Sequence, residues 1–199
     1  MTFQMTMLKR LTPPIARNRK GKANYDRLGR LLTEQSSSPL VLVLGGGILG
    51  AGMSSLLSYG SVELVETDVS FAPRTKLICD AHDIPFANES FDGMVVQVVL
   101  EHVADPSRCV DEIHRVLKRD GLVYAELPFM WQVHSPRYDF TRFSNYGLRR
   151  LFRGFKETEL GINHGPATAL ALAYNTFFSA SAVEARTISG CSRDSQPGI

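Results

Sequence analysis

An uninterrupted apolar run at residues 40–44, with the sequence LVLVL, leads directly into three glycines, Gly45, Gly46 and Gly47. A strand that is apolar at every position is buried on both faces, which is typical of a parallel sheet covered by helices. The glycines allow the backbone to turn sharply where the strand ends. The run therefore predicts an α/β fold with a buried parallel strand at this point.

Predicted strands and helices alternate through the middle of the chain, separated by turn residues or by helix-length gaps. Further strands are predicted at Val62–Glu66, Lys76–Cys79, Gly93–Val98 and Leu122–Leu127. Helices are predicted at Asn24–Gln35, at Leu49–Tyr59, and from Pro106 to a stop at Asp120 and Gly121. This alternation predicts a doubly wound, mostly parallel, Rossmann-like sheet.

The segment after the fifth predicted strand is less regular. Ser144 can cap a short helix that runs to Phe152, and Phe155–Leu160 is predicted to form an outer strand. An alanine-rich helix is then predicted from Pro166 to Arg186. Polar residues interrupt this helix, whereas a membrane span needs about 20 nearly continuous apolar residues. We therefore expect no membrane span here, but a helix in the core or in a homodimer interface.

Length and composition fit one globular domain. The chain has 199 residues, of which 44% are hydrophobic and 21% are charged, and this balance argues against disorder throughout the chain. The three cysteines are odd in number and form no Cys-x-x-Cys pair, which favours a reducing compartment, so we expect a cytoplasmic protein. The five histidines lack metal-ligand spacing along the chain, so no metal site is predicted.

Positive charge is concentrated at the start of the chain. Residues 1–30 contain eight Lys and Arg against Asp26 alone, a net charge of +7, so the remainder carries −5 of the total of +2. Because Pro13 and Pro14 interrupt the run, a solvated arm is favoured over a nucleic-acid contact. We expect a basic leader and N-terminal helix at residues 1–37, the main domain at 38–186 and a disordered tail at 187–199.

The glycine turn has a spacing that is typical of nucleotide-binding folds. Gly45, Gly47 and Gly50 satisfy G-x-G-x-x-G between a predicted strand and a predicted helix. About 20 residues further on, Glu66 and Asp68 end the next strand, where a carboxylate can accept both hydroxyl hydrogens of an adenosine ribose. This pair suits a nicotinamide dinucleotide, whose pyrophosphate binds a helix N-terminus, and it equally suits S-adenosylmethionine. The spacing leaves both cofactors open.

Four further strings follow in order along the chain. They lie at residues 77–86 (LICDAHDIPF), 90–93 (SFDG), 99–106 (VLEHVADP) and 112–121 (EIHRVLKRDG). Together with the glycine turn, they resemble the class I S-adenosylmethionine-dependent methyltransferases, in the group that modifies small molecules, over about residues 39–161. The resemblance implies S-adenosylmethionine as the cofactor and a small molecule as the methyl acceptor.

The resemblance also implies roles for residues around the cofactor. In the family, the glycine turn lines the methionine and ribose, and an acidic residue after the second strand binds the ribose hydroxyls. Residues after the third strand contact the adenine, and the end of the fourth strand lies near the sulfonium. The matching residues are Gly45, Gly46, Gly47 and Gly50, then Asp68 or Glu66, then Asp80 and Ala81, and finally Gln97.

The sequence departs from the family pattern at two places. Val43 stands where the family usually has an acidic residue, two positions before the first glycine. One polar contact to the methionine amine is therefore missing or supplied elsewhere. The last antiparallel strand of the family sheet is absent or unrecognised, because only Phe155–Leu160 is available before the alanine-rich helix.

An aromatic and polar loop follows the fifth predicted strand at residues 128–143. Ligands of open α/β sheets bind at the carboxyl ends of the strands, so the loop is a candidate for holding the acceptor. His134 with Asp139 is the candidate catalytic pair, in which the imidazole acts as a base. The expected acceptor contacts are His102, Trp131, Tyr138 and Arg142. A loop that is merely fixed by an Asp139–Arg142 ion pair is the alternative.

Three functions remain open at this point. The ordered strings favour a small-molecule methyltransferase. A nicotinamide-dependent oxidoreductase is supported only by the glycine spacing and Glu66. A non-catalytic, methyltransferase-like binding protein is the third, because of Val43 and the abbreviated C-terminal part.

Overall fold

The computed structural model of the chain describes residues 19–135 and 138–184. The helices are α1 (Arg19–Gln35), α2 (Ser54–Leu57), α3 (Pro106–Val116), α4 (Asn145–Leu151) and α5 (Pro166–Glu184). The strands are β1 (Leu40–Leu44), β2 (Glu63–Asp68), β3 (Leu77–Ile78), β4 (Phe91–Gln97) and β5 (Leu117–Glu126). Most of the predicted basic leader, at residues 1–18, and the predicted tail, at residues 187–199, lie outside the described residues.

The five strands form one sheet in the order β3-β2-β1-β4-β5. All four strand pairings are parallel. The chain adds strands outward from β1 in one direction as far as β3, and then in the other direction as far as β5. This reversal at β1 confirms the predicted doubly wound sheet.

Alternate residues of β1 enter two separate hydrophobic clusters. Leu42 and Leu44 belong to the cluster that contains Ile113 of α3. Val41 and Val43 belong to the cluster that contains Leu32 of α1. Each fully buried side chain of this size contributes about 2 kcal/mol. Burial on both faces explains why every position of β1 is apolar.

The helix after the glycine turn is shorter than predicted. The sequence pattern predicts a helix over Leu49–Tyr59, whereas α2 spans only Ser54–Leu57. Gly52 has a φ of 92°, and a Cβ at this residue would lie 2.6 Å from the backbone of Gly21 in α1. The close approach of α1 is therefore accommodated by turns, and helical backbone begins only beyond them.

The prediction of an outer strand at Phe155–Leu160 is wrong. Among the described residues the sheet has five strands, none of them antiparallel, and this segment pairs with none. Residues 156–159 are exposed, and Glu157 and Glu159 form ion pairs with Arg149 and Arg27. The polar residues 156–159 have no apolar face to bury, so they lack the stabilisation that an added strand needs.

Two further boundaries were tested by the structure. The Ser144 hydroxyl accepts a hydrogen bond from the Gly147 N–H at 3.2 Å, which confirms the predicted N-cap of α4. β5 begins at Leu117, immediately after α3, because Leu117 already pairs with Phe91 of β4. The predicted start at Leu122 is therefore five residues too late.

The described residues between 19 and 163 belong to one compact unit, which contains the five strands. α5 lies in the other unit and is a helix of 19 residues. Among the described helices, none combines the length and the apolar character that crossing a membrane requires. A homodimer through α5 stays a prediction.

Candidate active site

The glycine turn follows the carboxyl end of β1 and is hydrogen-bonded to the carboxyl end of β2. Gly45 has a φ of 67°, and a Cβ at this residue would lie 2.5 Å from the Val99 side chain. Both the backbone conformation and the available space therefore require glycine. The Gly46 N–H donates to the Thr67 carbonyl of β2 at 2.8 Å. This bond fixes the turn to the second strand.

Asp68, the last residue of β2, faces the glycine turn. Its Oδ2 accepts a hydrogen bond from the Gly47 N–H at 3.2 Å. Its Oδ1 accepts from the N–H and the hydroxyl of Ser70, at 3.0 and 3.1 Å. A Cβ on Gly47 would lie 2.8 Å from Oδ2, so glycine at this position keeps the carboxylate open. The structure thus brings together two residues that are expected at the ribose of a cofactor.

Glu66, the alternative ribose ligand, is engaged elsewhere. Its side chain is only 5% exposed, and its Oε1 accepts from Nε and Nη2 of Arg74, both at 2.6 Å. Separating a buried carboxylate from its guanidinium partner is costly. In this structure Glu66 therefore serves an ion pair with Arg74, and its role as a ribose ligand in place of Asp68 stays a prediction.

Asp80 and Ala81 follow β3 at the same edge of the sheet. Ile78 is the register partner of Asp68, so Asp80 lies two residues beyond the level of Asp68. The backbone N–H and the ring of His82 bind Asp80 Oδ1, at 2.9 and 2.7 Å, and lower the pKa of the carboxyl group. The Asp80 side chain is nevertheless 64% exposed, whereas Ala81 is buried. Asp80 is fixed by its turn and remains accessible.

Gln97, the last residue of β4, is held from three sides. Its Oε1 accepts from the Tyr25 hydroxyl at 3.0 Å. Its Nε2 donates to the Ala51 carbonyl at 3.1 Å and to Glu126 Oε2 at 2.8 Å. A Cβ on Gly50 would lie 1.9 Å from Gln97 Oε1, so this glycine is required for the close approach of the amide. Gln97 is therefore locked between α1, the glycine turn and β5.

The chain makes a strained turn directly after β4. Val98 has a φ of 57°, a left-handed conformation that costs about 1–2 kcal/mol for a residue with a Cβ. The Val98 N–H donates to the Glu126 carbonyl at 2.8 Å, which holds the turn against β5. The turn leads into Glu101 and His102.

Three ionisable side chains meet beyond this turn. His102 Nε2 and His134 Nε2 are 3.1 Å apart, and they lie 3.7 and 3.8 Å from Glu101 Oε1. Glu101 is completely buried, and neither carboxylate oxygen has a hydrogen-bond partner among the described residues. The fold thus brings together the two predicted histidines, which are 32 residues apart in the sequence.

Glu101 is the site residue to which the sequence assigned no role. Burial raises its pKa to about 7, against the lowering influence of His134 and Arg142. Its backbone carbonyl accepts from the Phe140 N–H at 2.8 Å, which ties the loop at residues 128–143 to the end of β4. One signal for Glu101 is present in the sequence, because this carboxylate follows three apolar residues at 98–100. A carboxylate in such a position is rarely buried without a partner.

Arg142 organises the loop at residues 128–143. Its guanidinium binds both carboxylate oxygens of Asp139, with Nη2 to Oδ2 at 2.9 Å. It also donates to the carbonyls of Trp131 and Gln132, each at 3.0 Å. This geometry matches the alternative in which the Asp139–Arg142 pair fixes the loop. The N–H groups of Arg142 bind the loop itself in this structure, and a contact of Arg142 with the acceptor stays a prediction.

Asp139 supports His134 and is itself a poor base. Arg142 and the His134 N–H hold the pKa of Asp139 far below its usual range. Asp139 Oδ2 accepts from the His134 N–H at 2.9 Å and lies 3.5 Å from His134 Nδ1. Trp131 and Tyr138 lie partly exposed on the same loop, and the Tyr138 carbonyl accepts from His102 Nδ1. The loop therefore orients both imidazoles.

These features together define a class of fold. Parallel strands in the order β3-β2-β1-β4-β5, a glycine turn after the first strand and an acidic residue after the second form a Rossmann-like methyltransferase fold. In agreement, residues 44–125 match a family model described as a methyltransferase domain. Over these 82 residues the chain is similar to methyltransferase domains.

Two curated proteins illustrate how far the similarity extends. A demethylmenaquinone methyltransferase from Clavibacter sepedonicus is 27% identical over 113 residues, which cover 49% of this chain and 46% of that protein. A ubiquinone/menaquinone biosynthesis C-methyltransferase, UbiE, from Xanthomonas campestris pv. campestris is 31% identical over 120 residues, which cover 57% and 43%. The chain thus spans less than half the length of these relatives.

A solved structure is similar at lower identity. It is the 1,6-didemethyltoxoflavin-N1-methyltransferase from Burkholderia thailandensis, with bound 1,6-didemethyltoxoflavin and S-adenosylhomocysteine. The TM-score is 0.47 at 18% identity, and the similar region covers 67% of each chain.

Proposed function

We propose that this chain transfers a methyl group from S-adenosylmethionine to a small-molecule acceptor that loses a proton in the reaction. The observation that carries this proposal is that Asp68 beside the glycine turn and the His102–His134 pair lie at the carboxyl ends of parallel strands in one sheet. Ligands of such sheets bind at this edge. We therefore assign the part of this edge around the glycine turn and Asp68 to the cofactor. We assign the part around His102 and His134 to the acceptor.

The residues present fit the cofactor. The Asp68 carboxylate accepts three hydrogen bonds from Gly47 and Ser70, which leaves one of its about four lone-pair sites for a ribose hydroxyl, and rotation of the Ser70 hydroxyl frees a second. Asp80 is exposed for a contact to the adenine amino group, and Gln97 would lie near the sulfonium. Val43 is buried among apolar residues and offers no polar contact to the methionine amine. S-adenosylmethionine supplies an already activated methyl group, so the chain has to align the reactants and exclude water.

The same geometry argues against a nicotinamide dinucleotide. Dinucleotide-binding folds place the pyrophosphate on the N-terminus of a helix that opens at the glycine turn. In this chain α2 begins only at Ser54 and has four residues. Glu66, the other support for an oxidoreductase, is bound to Arg74. Neither the glycine spacing nor Glu66 therefore supports an oxidoreductase as it did from the sequence alone.

His102 and His134 are suited to take up the proton of the acceptor. Carbonyl oxygens lie at Nδ1 of each ring, Tyr138 O at His102 and Gln132 O at His134. Nε2 is then the basic atom of each imidazole, and either Nε2 can accept a proton as the nucleophile attacks the methyl carbon. His134 and His102 are therefore proposed as bases, with Asp139 as a positioning residue.

The rings on the loop favour a planar acceptor. Phe129 and Phe140 are each more than half exposed, and Trp131 is 37% exposed. Exposed aromatic side chains offer flat apolar contacts to an aromatic ligand. The names of the curated relatives, which refer to ubiquinone and menaquinone, point in the same direction. We therefore propose an aromatic small molecule as the acceptor.

The decisive experiment is calorimetric titration of the full chain with S-adenosylmethionine, S-adenosylhomocysteine and NAD in parallel. We expect the first two to bind and NAD not to bind. A screen of phenols and quinols with methyl-labelled cofactor would then identify the acceptor class. Binding of NAD would restore the oxidoreductase, and cofactor binding without any methyl transfer would favour the non-catalytic binding protein.

A further inference from the structure

The cluster of Glu101, His102 and His134 contains more hydrogen-bond acceptors than donors. The Tyr138 carbonyl can only accept, so His102 Nδ1 carries the ring proton. Gln132 O and Asp139 Oδ2 lie 3.3 and 3.5 Å from His134 Nδ1 and can also only accept. With the proton on Nδ1, each neutral ring presents a lone pair at Nε2. A second proton on His134 would let its Nε2 donate to His102 Nε2 across 3.1 Å, but both Glu101 oxygens would still lack a hydrogen bond.

These lone pairs converge on one another and on a buried carboxylate. The two Nε2 atoms are 3.1 Å apart, and both Glu101 oxygens lack a hydrogen-bond partner among the described residues. Buried acceptors without donors are costly, and native proteins rarely leave them so. A proton on Glu101 does not resolve the arrangement, because 3.7 and 3.8 Å to the nitrogens is too long for a hydrogen bond. A cation between the three atoms does resolve it.

We propose that Glu101 Oε1, His102 Nε2 and His134 Nε2 bind one divalent transition-metal ion, with Zn²⁺ as the ion that fits best. The three atoms form a triangle with sides of 3.1, 3.7 and 3.8 Å, and the point equidistant from them lies about 2.1 Å from each. Bonds from Zn²⁺ to imidazole nitrogen and carboxylate oxygen are about 2.0–2.2 Å long. Two imidazoles and one carboxylate also form a recurrent donor set for catalytic zinc and for non-haem iron.

The surroundings supply the outer contacts that metal sites use. Metal-binding histidines commonly donate their second ring N–H to a carbonyl or a carboxylate, which fixes the tautomer and the ring. His102 makes this contact to Tyr138 O, and His134 faces Gln132 O and Asp139. Asp139 is in turn held by Arg142. The site could not be predicted from the sequence, because His102 and His134 have no ligand spacing along the chain.

Three protein ligands leave at least one coordination position open, as in catalytic zinc sites. Binding of the ion rests on atoms of this chain alone and does not depend on methyl transfer. Its role at the acceptor, by contrast, rests on the proposed function. An acceptor hydroxyl bound to the ion would lose its proton more readily. With the ion bound, both imidazoles act as ligands, and the acceptor proton passes to solvent water at the partly exposed histidines. The base role proposed above then applies to the chain without the ion, since a ligating Nε2 cannot take up a proton.

The test is a Zn²⁺ titration of the untagged full chain after removal of metal with EDTA, read by competition with a chromophoric chelator. The variants are Glu101→Gln, His102→Ala and His134→Ala, and the matched control is His114→Gln, which changes an exposed histidine on α3. We expect one Zn²⁺ per wild-type chain, an unchanged affinity in the control, and an affinity at least tenfold lower in each ligand variant. Mg²⁺, which prefers oxygen ligands, is expected not to compete.

Thermal unfolding with and without Zn²⁺ provides a second measurement that also shows whether each variant is folded. We expect Zn²⁺ to raise the Tm of the wild type and of His114→Gln, and to leave the ligand variants unchanged, because only a bound ion stabilises the folded state. Wild-type protein without stoichiometric Zn²⁺ binding would overturn the proposal. Equal loss of affinity in His114→Gln and in the ligand variants would overturn it as well. Neither measurement involves S-adenosylmethionine, so either result leaves the methyltransferase proposal to its own test.

Discussion

The two halves of the sheet edge are built on different principles. The cofactor half consists of the glycine turn, Asp68 and Gln97, and its side chains are hydrogen-bonded to the chain itself. The acceptor half consists of Glu101, His102 and His134, where a buried carboxylate has no hydrogen-bond partner among the described residues. The first half is preorganised by satisfied contacts, whereas the second is completed only when something binds. Substitutions in one half should therefore leave the other half intact.

The largest effect is expected in the cofactor half. Asp68→Ala removes the carboxylate that faces Gly47 and with it two charge-assisted hydrogen bonds to the ribose. We expect S-adenosylmethionine to bind at least about 100-fold more weakly, because two such bonds contribute about 1.5–3 kcal/mol each. Calorimetry measures the change, and Asp111→Ala, an exposed aspartate on α3, is the control. An unchanged affinity in Asp68→Ala would remove Asp68 from the cofactor site.

The next effect separates the two halves. His134→Ala removes one Nε2 from the acceptor half and leaves the glycine turn untouched. We expect turnover to fall at least tenfold, which is a conservative value for loss of a general base or a metal ligand. The affinity for S-adenosylmethionine should stay at the wild-type value. Wild-type turnover in this variant, measured as S-adenosylhomocysteine release, would exclude His134 from the mechanism.

A third prediction concerns the opposite edge of the sheet and therefore stability. Asp92 accepts from the Leu40 N–H at 2.9 Å and pairs with Lys118 at 2.8 Å. Burial acts to raise the pKa of Asp92, but these two partners outweigh it and hold the pKa below its usual value. We expect Asp92→Asn to lower the free energy of unfolding by about 1 kcal/mol at pH 7, with no change in cofactor affinity.

The pH dependence of this effect has a definite sign. A depressed folded-state pKa contributes stability that is present above the unfolded value, near 4, and is lost as the pH falls through the folded value. Denaturant unfolding at pH 7 and at about pH 3 should therefore show the difference between wild type and Asp92→Asn shrinking at the lower pH. A difference that stays constant with pH would contradict this assignment of the ion pair.

The smallest effect is expected at the junction of the two halves. Val98→Gly relieves a left-handed conformation at φ 57°, and the gain is partly offset by the greater chain entropy of glycine. We expect the free energy of unfolding to rise by roughly 0.5 kcal/mol. Val98→Ala, which keeps a Cβ, is the control and should not be stabilised. A loss of stability in Val98→Gly would mean that packing of the valine outweighs the strain.

The parts of the fold that follow from local pattern could be predicted from the sequence. β1 is apolar at every position because both of its faces are buried, so periodicity alone identifies it. The N-cap at Ser144 is equally local. The length of α2 was not predictable in this way, because the contact of Gly52 with α1 interrupts a helical pattern. Tertiary contacts overrode propensity there.

The two halves of the site differ in the same respect. The position of Asp68 beside the glycine turn could be predicted, because its distance from the turn follows from one strand-helix-strand unit. The meeting of His102 with His134 depends on how a loop without periodicity folds back, which no spacing encodes. Glu101 was missed because its importance lies in the absence of a partner. The lack of a hydrogen-bond partner for Glu101 can be recognised only when all the atoms around its carboxylate are known.

The central position of β1 also governs how the domain can form during synthesis. β1 pairs with β2 on one side and with β4 on the other, and Val43 of β1 meets Val95, a residue made much later. A ribosome that has released the chain only as far as β3 therefore exposes an apolar strand whose second edge is unpaired. Such edges invite association with other chains. Pairing between distant segments also slows folding, so emergence of β4 is the event that protects the nascent domain from aggregation.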